Sequence, residues 1–138
     1  TAGTVTYLHA GSTTPTGTVV TPTTNSSPAN TISPLTGLSV ASNSKMVVNF
    51  ASFANDAIKL DMNFTTGAQG NINFQGQSAL ANHFSLNNLT VNSQACDNCA
   101  ANGFFAGSNA SMIGLNYDVK AQLGNSTANM TGVAAFEK

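Results

Sequence analysis

Charge is what this chain has least of. Asp, Glu, Lys and Arg make up 7% of its 138 residues, against about 25% in an ordinary soluble domain. Four cations and a net charge of −1 leave no basic stripe to neutralise phosphates, which argues against nucleic acid as a partner. Near-zero net charge also removes long-range repulsion between copies, so self-association is eased. No apolar run approaches the roughly 20 residues with which a helix crosses a bilayer.

Groups that do chemistry are equally scarce. The carboxylates are Asp56, Asp61, Asp97, Asp118 and Glu137, and no two of them form an obvious pair of the kind that flanks a glycosidic bond. Serine is abundant, but no GxSxG elbow or base with an orienting partner accompanies it. His9 and His83 stand far apart and, with Cys96 and Cys99, lack the spacing of a four-ligand zinc site. His9 shares the parity of Val5 and Tyr7 and reads as a core cap or rim residue, whereas His83 reads as solvated. The expectation is a non-enzyme with no metal and no cofactor. Asn-x-Ser/Thr triplets at Asn25, Asn63, Asn88, Asn109, Asn125 and Asn129 are what a chain rich in these residues produces by chance.

Proline is confined to one stretch. All four prolines fall in residues 10–36, "AGSTTPTGTVVTPTTNSSPANTISPLT", which excludes a helix there. The segment reads as a long connection with one short extended piece at Thr18–Thr21. The chain opens on "TAGTVTYLHAG" without a basic segment followed by an apolar one, so any export signal is expected to have been removed.

What is there is alternation. Hydrophobic residues make up 41% of the chain and recur at every second position. Met46, Val48 and Phe50 share one face, and Ile58, Leu60, Met62 and Phe64 another, with Lys59, Asp61 and Asn63 between them. "GNINFQG" turns Ile72 and Phe74 inward. "HFSLNNLTV" begins with Phe84 and Leu86, then changes parity to Leu89 and Val91, as a bulge at Asn87–Asn88 would allow. "SMIGLNYDV" and "MTGVAAFEK" contribute Ile113, Leu115, Tyr117 and Val119, then Gly132, Ala134 and Phe136.

No window shows a helical period. The predicted fold is all-β: a small closed antiparallel barrel of about eight strands with a long Thr/Pro-rich N-terminal loop or arm. Residues 1–35 would be an N-terminal strand plus that loop, and residues 36–138 the barrel. The expected barrel core is Phe50, Leu60, Phe64, Phe74, Phe84, Phe104, Leu115, Tyr117 and Phe136.

"MVVNFASFANDAIKLDMNF", "GFFAGSNASMIGLNYDV" and the final "TGVAAFEK" resemble the strand–turn–strand and closing signature of the transferrin-binding protein B type β-barrel domain. That domain is also found at the C-termini of FecR-domain and other secreted or surface bacterial proteins. The resemblance spans about residues 36–138. It implies an eight-stranded barrel exported by a Gram-negative bacterium, secreted or at the outer cell surface, and binding or display rather than catalysis. A host protein or an iron or haem source is the ligand class it implies.

In an exported protein two cysteines most simply form one disulfide, and Cys96–Cys99 would then stiffen the loop feeding Phe104 and Phe105 into the barrel. Two roles follow. As a binding module the chain would meet an unknown protein or small molecule through residues 10–36 and 92–103. As a structural subunit it would polymerise into a filament or surface matrix through an arm of residues 1–24 that adds a strand to a neighbour.

Overall fold

A computed structural model describes residues 3–21, 31–35, 37–67, 70–123 and 126–138. The described residues contain no helix. The N-terminal part forms β1 (Thr4–Ser12), β2 (Thr16–Thr21), β3 (Thr31–Pro34) and β4 (Ser39–Val40). Then come β5 (Lys45–Asn49), β6 (Ile58–Thr66), β7 (Gly70–Ser78), β8 (His83–Ser85), β9 (Asn87–Val91) and β10 (Gln94–Ala95). β11 (Ala100–Ala106), β12 (Met112–Leu123) and β13 (Ser126–Glu137) complete the chain. All thirteen belong to one sheet in the order β10-β9-β7-β6-β5-β1-β13-β12-β11-β8, with β2 on β13, β3 on β2 and β4 on β6.

Every pairing is antiparallel, but the sheet is not a closed ring. The expectation of a closed eight-stranded barrel is corrected on this point: β10 and β8 end the ladder on opposite sides. The reason lies in residues 83–91, which divide their pairing. β8 pairs with β11 and β9 with β7. Between them Leu86 donates its N–H to Ala101. The expected bulge is present where the strand changes allegiance. Asn88 has φ 49°, and Asn88 and Leu89 together oppose the single residue Gly76, because Gln75 pairs with Thr90 and Gln77 with Asn87. A Cβ on Gly76 would lie 2.6 Å from Leu89 Cδ2, so glycine is what admits the extra leucine.

The described part of the Thr/Ser/Pro-rich stretch forms strands where a long connection was expected. β1 pairs with only the last residues of β13, Ala134–Glu137. The chain then turns at Thr13, whose N–H reaches Val133, and β2 covers Thr127–Thr131 of the same strand. The β-branched Thr and Val residues of this segment suit a strand. Pro15 lies between β1 and β2, and Pro34 ends β3, which among the described residues pairs with β2 alone, so neither removes a needed ladder bond. Pro22 and Pro28 lie outside the described residues. β1 itself sits between β5 and β13, so β1, β2 and β3 belong to the same sheet as the later strands.

The core follows the alternation. Leu60, Phe64, Phe74, Phe84, Leu115, Tyr117 and Phe136 are buried, with Ile58, Met62, Ile72, Ile113, Val119 and Met130. At about 25 cal/mol per Å² of apolar surface, each large side chain contributes on the order of 2–3 kcal/mol. Phe50 is half-buried, past the end of β5, against Phe105 with ring centroids 5.7 Å apart.

Phe104 is the residue that departs from expectation: it is 47% exposed. On β11 the inward positions are Ala101, Gly103 and then Phe105, so the first Phe of the pair faces out. Phe105 takes the interior place and meets Tyr7, Phe50 and Phe84 at 6.2, 5.7 and 5.7 Å. The wet face replaces charge with amides. Asn73 Nδ2 donates to Asp61 Oδ1 at 2.7 Å and to Asn63 Oδ1 at 2.9 Å across β6 and β7.

Candidate binding surface

Because β11 turns Phe104 outward, the outer face of β8, β11, β12 and β13 carries apolar surface that strand parity alone would leave polar. Three register rows cross it. The first runs Gly11, Ala135, Gly114, Phe104, His83. The second runs Val133, Asn116, Asn102, Ser85. The third runs Thr16, Thr131, Asp118, Ala100.

The first row has almost no side chains except at one end. A Cβ on Gly114 would lie 2.6 Å from Phe104 Cζ, so the ring extends over a strand position that only glycine leaves open. His83 stands beside it, ring centroids 6.3 Å apart. Val133 rises opposite and is 48% exposed. Together these walls and the small-residue floor enclose a groove of about 670 Å³. Its rim is polar: Ser85 donates to Asn102 Oδ1 at 2.7 Å, and Thr13 Oγ1 accepts from the Val133 N–H at 3.3 Å. None of the lining residues is Asp, Glu, Lys or Arg. A second hollow of about 240 Å³ adjoins the first through Asn102 and Asn116, and adds Asp118 and Thr131.

The residues singled out in the sequence are scattered. Cys96 and Cys99 are disulfide-bonded, Cα atoms 5.5 Å apart. Their sulfur atoms contact Lys120 of β12, whose N–H donates to Cys99 Sγ at 3.3 Å, while the Cys96 N–H donates to Leu89. The bridge thus takes over where the β11–β12 ladder stops at Ala100–Asp118. His9 lies on β1 with its ring edge on Phe136, 6.1 Å away, and so on the other side of the sheet from His83. Among the described residues no three His, Cys, Asp or Glu side chains come together in metal-binding proximity. Residues 92–103 are half strand, in β10 and the start of β11: Asn92 and Ser93, both at positive φ, make the tight turn between β9 and β10.

Sequence reasoning missed Val133, Asn116, Asn102 and Gly114 as a surface. The signal that could have found them was Phe104–Phe105: adjacent aromatics in a strand must face opposite ways.

No protein-family model matches the chain, and no curated protein matches it in sequence. Among solved structures it is similar to two mutants of the vaccine antigen Transferrin Binding Protein B from Haemophilus parasuis Hp5. The double mutant gives a TM-score of 0.48 at 14% identity over 99% of this chain. A single mutant gives 0.44 at 13% identity, again over 99%. This chain spans about a quarter of either protein, 26% and 27%. These are weak likenesses of an all-β fold, and they carry no argument about what the chain does.

Proposed function

We propose that this chain is a non-catalytic, exported bacterial β module that binds an uncharged partner through the outer face of β11, β12 and β13. One observation carries the reading: an uncharged groove with a polar rim, in which Phe104 and Val133 are left nearly half exposed. An exposed apolar patch with a polar border is a usual mark of an interaction site. The disulfide suits an oxidising compartment, in keeping with secretion or display at the outer surface of a Gram-negative bacterium.

The filament reading has less to support it. β1 is paired along both edges and β2 lies between β13 and β3, so these strands of the arm are engaged within the chain.

The test compares fluorescently labelled protein with its Phe104→Ser/Val133→Ser variant on intact Gram-negative and epithelial cells by flow cytometry. Saturable binding is expected from the parent protein, weakened about tenfold or more in the variant. Light scattering should report a 14.0 kDa species. Absence of saturable binding, or undiminished binding by the variant, would overturn the reading. Polymers at micromolar protein would favour the filament instead.

A further inference from the structure

Resting on that reading, we infer that the outer-face groove and its adjoining hollow form one track for an uncharged oligosaccharide chain, with Phe104 as the stacking platform and Asn102 and Asn116 as the hydroxyl-reading amides. The two depressions share those two asparagines and cross the same three strands. Successive rows are two residues apart along each strand. At about 3.4 Å per residue, the three rows cover roughly 14 Å, longer than a single sugar ring.

The chemistry of the lining selects the class. A pyranose has an apolar C–H face and a rim of hydroxyls. The half-exposed Phe104 ring beside a floor of Gly114 and Ala135 matches the first. Carboxamides match the second, since each can both donate to and accept from a hydroxyl. Asn102 Oδ1 already accepts from Ser85, which leaves its Nδ2 to donate. The Asn116 carboxamide is exposed and makes no hydrogen bond among the described residues.

Charge excludes competitors. The track has no Lys or Arg to pair with a phosphate, sulfate or uronate, and an unpaired buried charge is costly. Its one carboxylate, Asp118, would repel such groups further. Covering Gly114 would by itself account for where the Phe104 ring lies. It would not account for two adjacent exposed carboxamides, Asn102 bonded only through its Oδ1 and Asn116 making no hydrogen bond among the described residues, in line with Thr131 and Asp118.

The experiment is a ¹H–¹⁵N NMR titration of the 138-residue protein with cellotetraose, xylotetraose and chitotetraose, with a hyaluronan tetrasaccharide as the charged counterpart. At least one neutral probe should shift amides confined to residues 102–104, 114–118 and 131–135. Phe104→Ala and Asn116→Ala should each weaken that binding about tenfold while the melting temperature falls by no more than about 5 °C. Glucose should bind more weakly than the tetrasaccharides. No shifts with any neutral probe at millimolar concentration, shifts elsewhere, or equal binding of hyaluronan would overturn the assignment. Cell binding that persists without competition from any of these sugars would sink the saccharide and leave the surface-binding reading standing. Loss of cell binding with intact sugar shifts would do the reverse.

Discussion

The Tyr7 hydroxyl donates a hydrogen bond to the carbonyl of Ala110, 2.6 Å away and 103 residues later in the chain. Ala110 belongs to the turn between β11 and β12, where Gly107, Asn109 and Ala110 all have positive φ. The left-handed conformation costs a residue with a Cβ roughly 1–2 kcal/mol. Tyr7 helps to hold it, together with Lys138, whose Nζ donates to Asn109 at 2.6 Å.

Tyr7→Phe should therefore destabilise the fold by about 1 kcal/mol, the usual net value of such a bond. Ala110→Gly should stabilise it by up to about 1 kcal/mol by relieving the turn. Urea unfolding of the two variants checks both signs. A Tyr7→Phe protein as stable as the parent would show that the turn holds without its tether.

Tyr117 presents the opposite case. It is buried against Phe64, ring centroids 5.1 Å apart, and its hydroxyl has no partner among the described residues. Burial pushes its pKa up from 10.0 to about 12 and also raises that of Tyr7. Between those values the unfolded chain loses the phenolic proton while the folded chain keeps it. Stability is thus fully present below about pH 10 and falls as pH rises toward 12. A shift of that size corresponds to roughly 2–3 kcal/mol. Tyr117→Phe should remove most of this alkaline loss and raise stability at neutral pH by about 1 kcal/mol, because an unpaired buried hydroxyl is removed. Thermal unfolding across pH 8–12 checks it; an unchanged alkaline limb would mean that the phenol is not the titrating group.

Phenylalanines on the two faces of the sheet should respond very differently to truncation. Phe104→Ala removes a half-exposed ring and should cost less than about 1 kcal/mol, whereas Phe74→Ala should cost about 3–5 kcal/mol. A Cβ on Gly103 would collide with the Phe84 ring, which fills the space that the glycine leaves. Gly103→Ala should cost about 1–3 kcal/mol by overpacking. Much of that should return in the Gly103→Ala/Phe84→Leu double variant, a coupling that a double-mutant cycle measures.

The disulfide closes a short ring, so replacing Cys96 and Cys99 by serine should cost only roughly 2 kcal/mol. The local effect should be larger than the global one. The Lys120 amide, which donates to Cys99 Sγ, should exchange with deuterium faster, while amides of β6 and β7 keep their protection. Uniform acceleration across the sheet would contradict this.

Much of this fold was legible in the sequence. Period-two alternation placed Met46, Val48, Ile58, Leu60, Met62, Phe64, Ile72 and Phe74 in the core, because a strand's side chains have only two directions to choose from. The parity change at Asn87–Asn88 announced a bulge for the same reason. The pair Cys96–Cys99 was readable as a disulfide, though not as the brace at the end of the β11–β12 ladder.

What alternation cannot state is which strands pair and where each ladder stops. Strand pairing depends on contacts between residues far apart in sequence. Thus β2 lies on β13 because β1 leaves the first half of that strand uncovered, and residues 83–91 divide between β11 and β7. The side taken by Phe104 was settled in the same way: two aromatics stood in sequence, and Tyr7, Phe50 and Phe84, gathered from three other segments, left interior room for only Phe105. Local chemistry determined that the chain is a β protein with an apolar interior. Tertiary packing decided which aromatic ring remained outside, and with it where a binding surface could form.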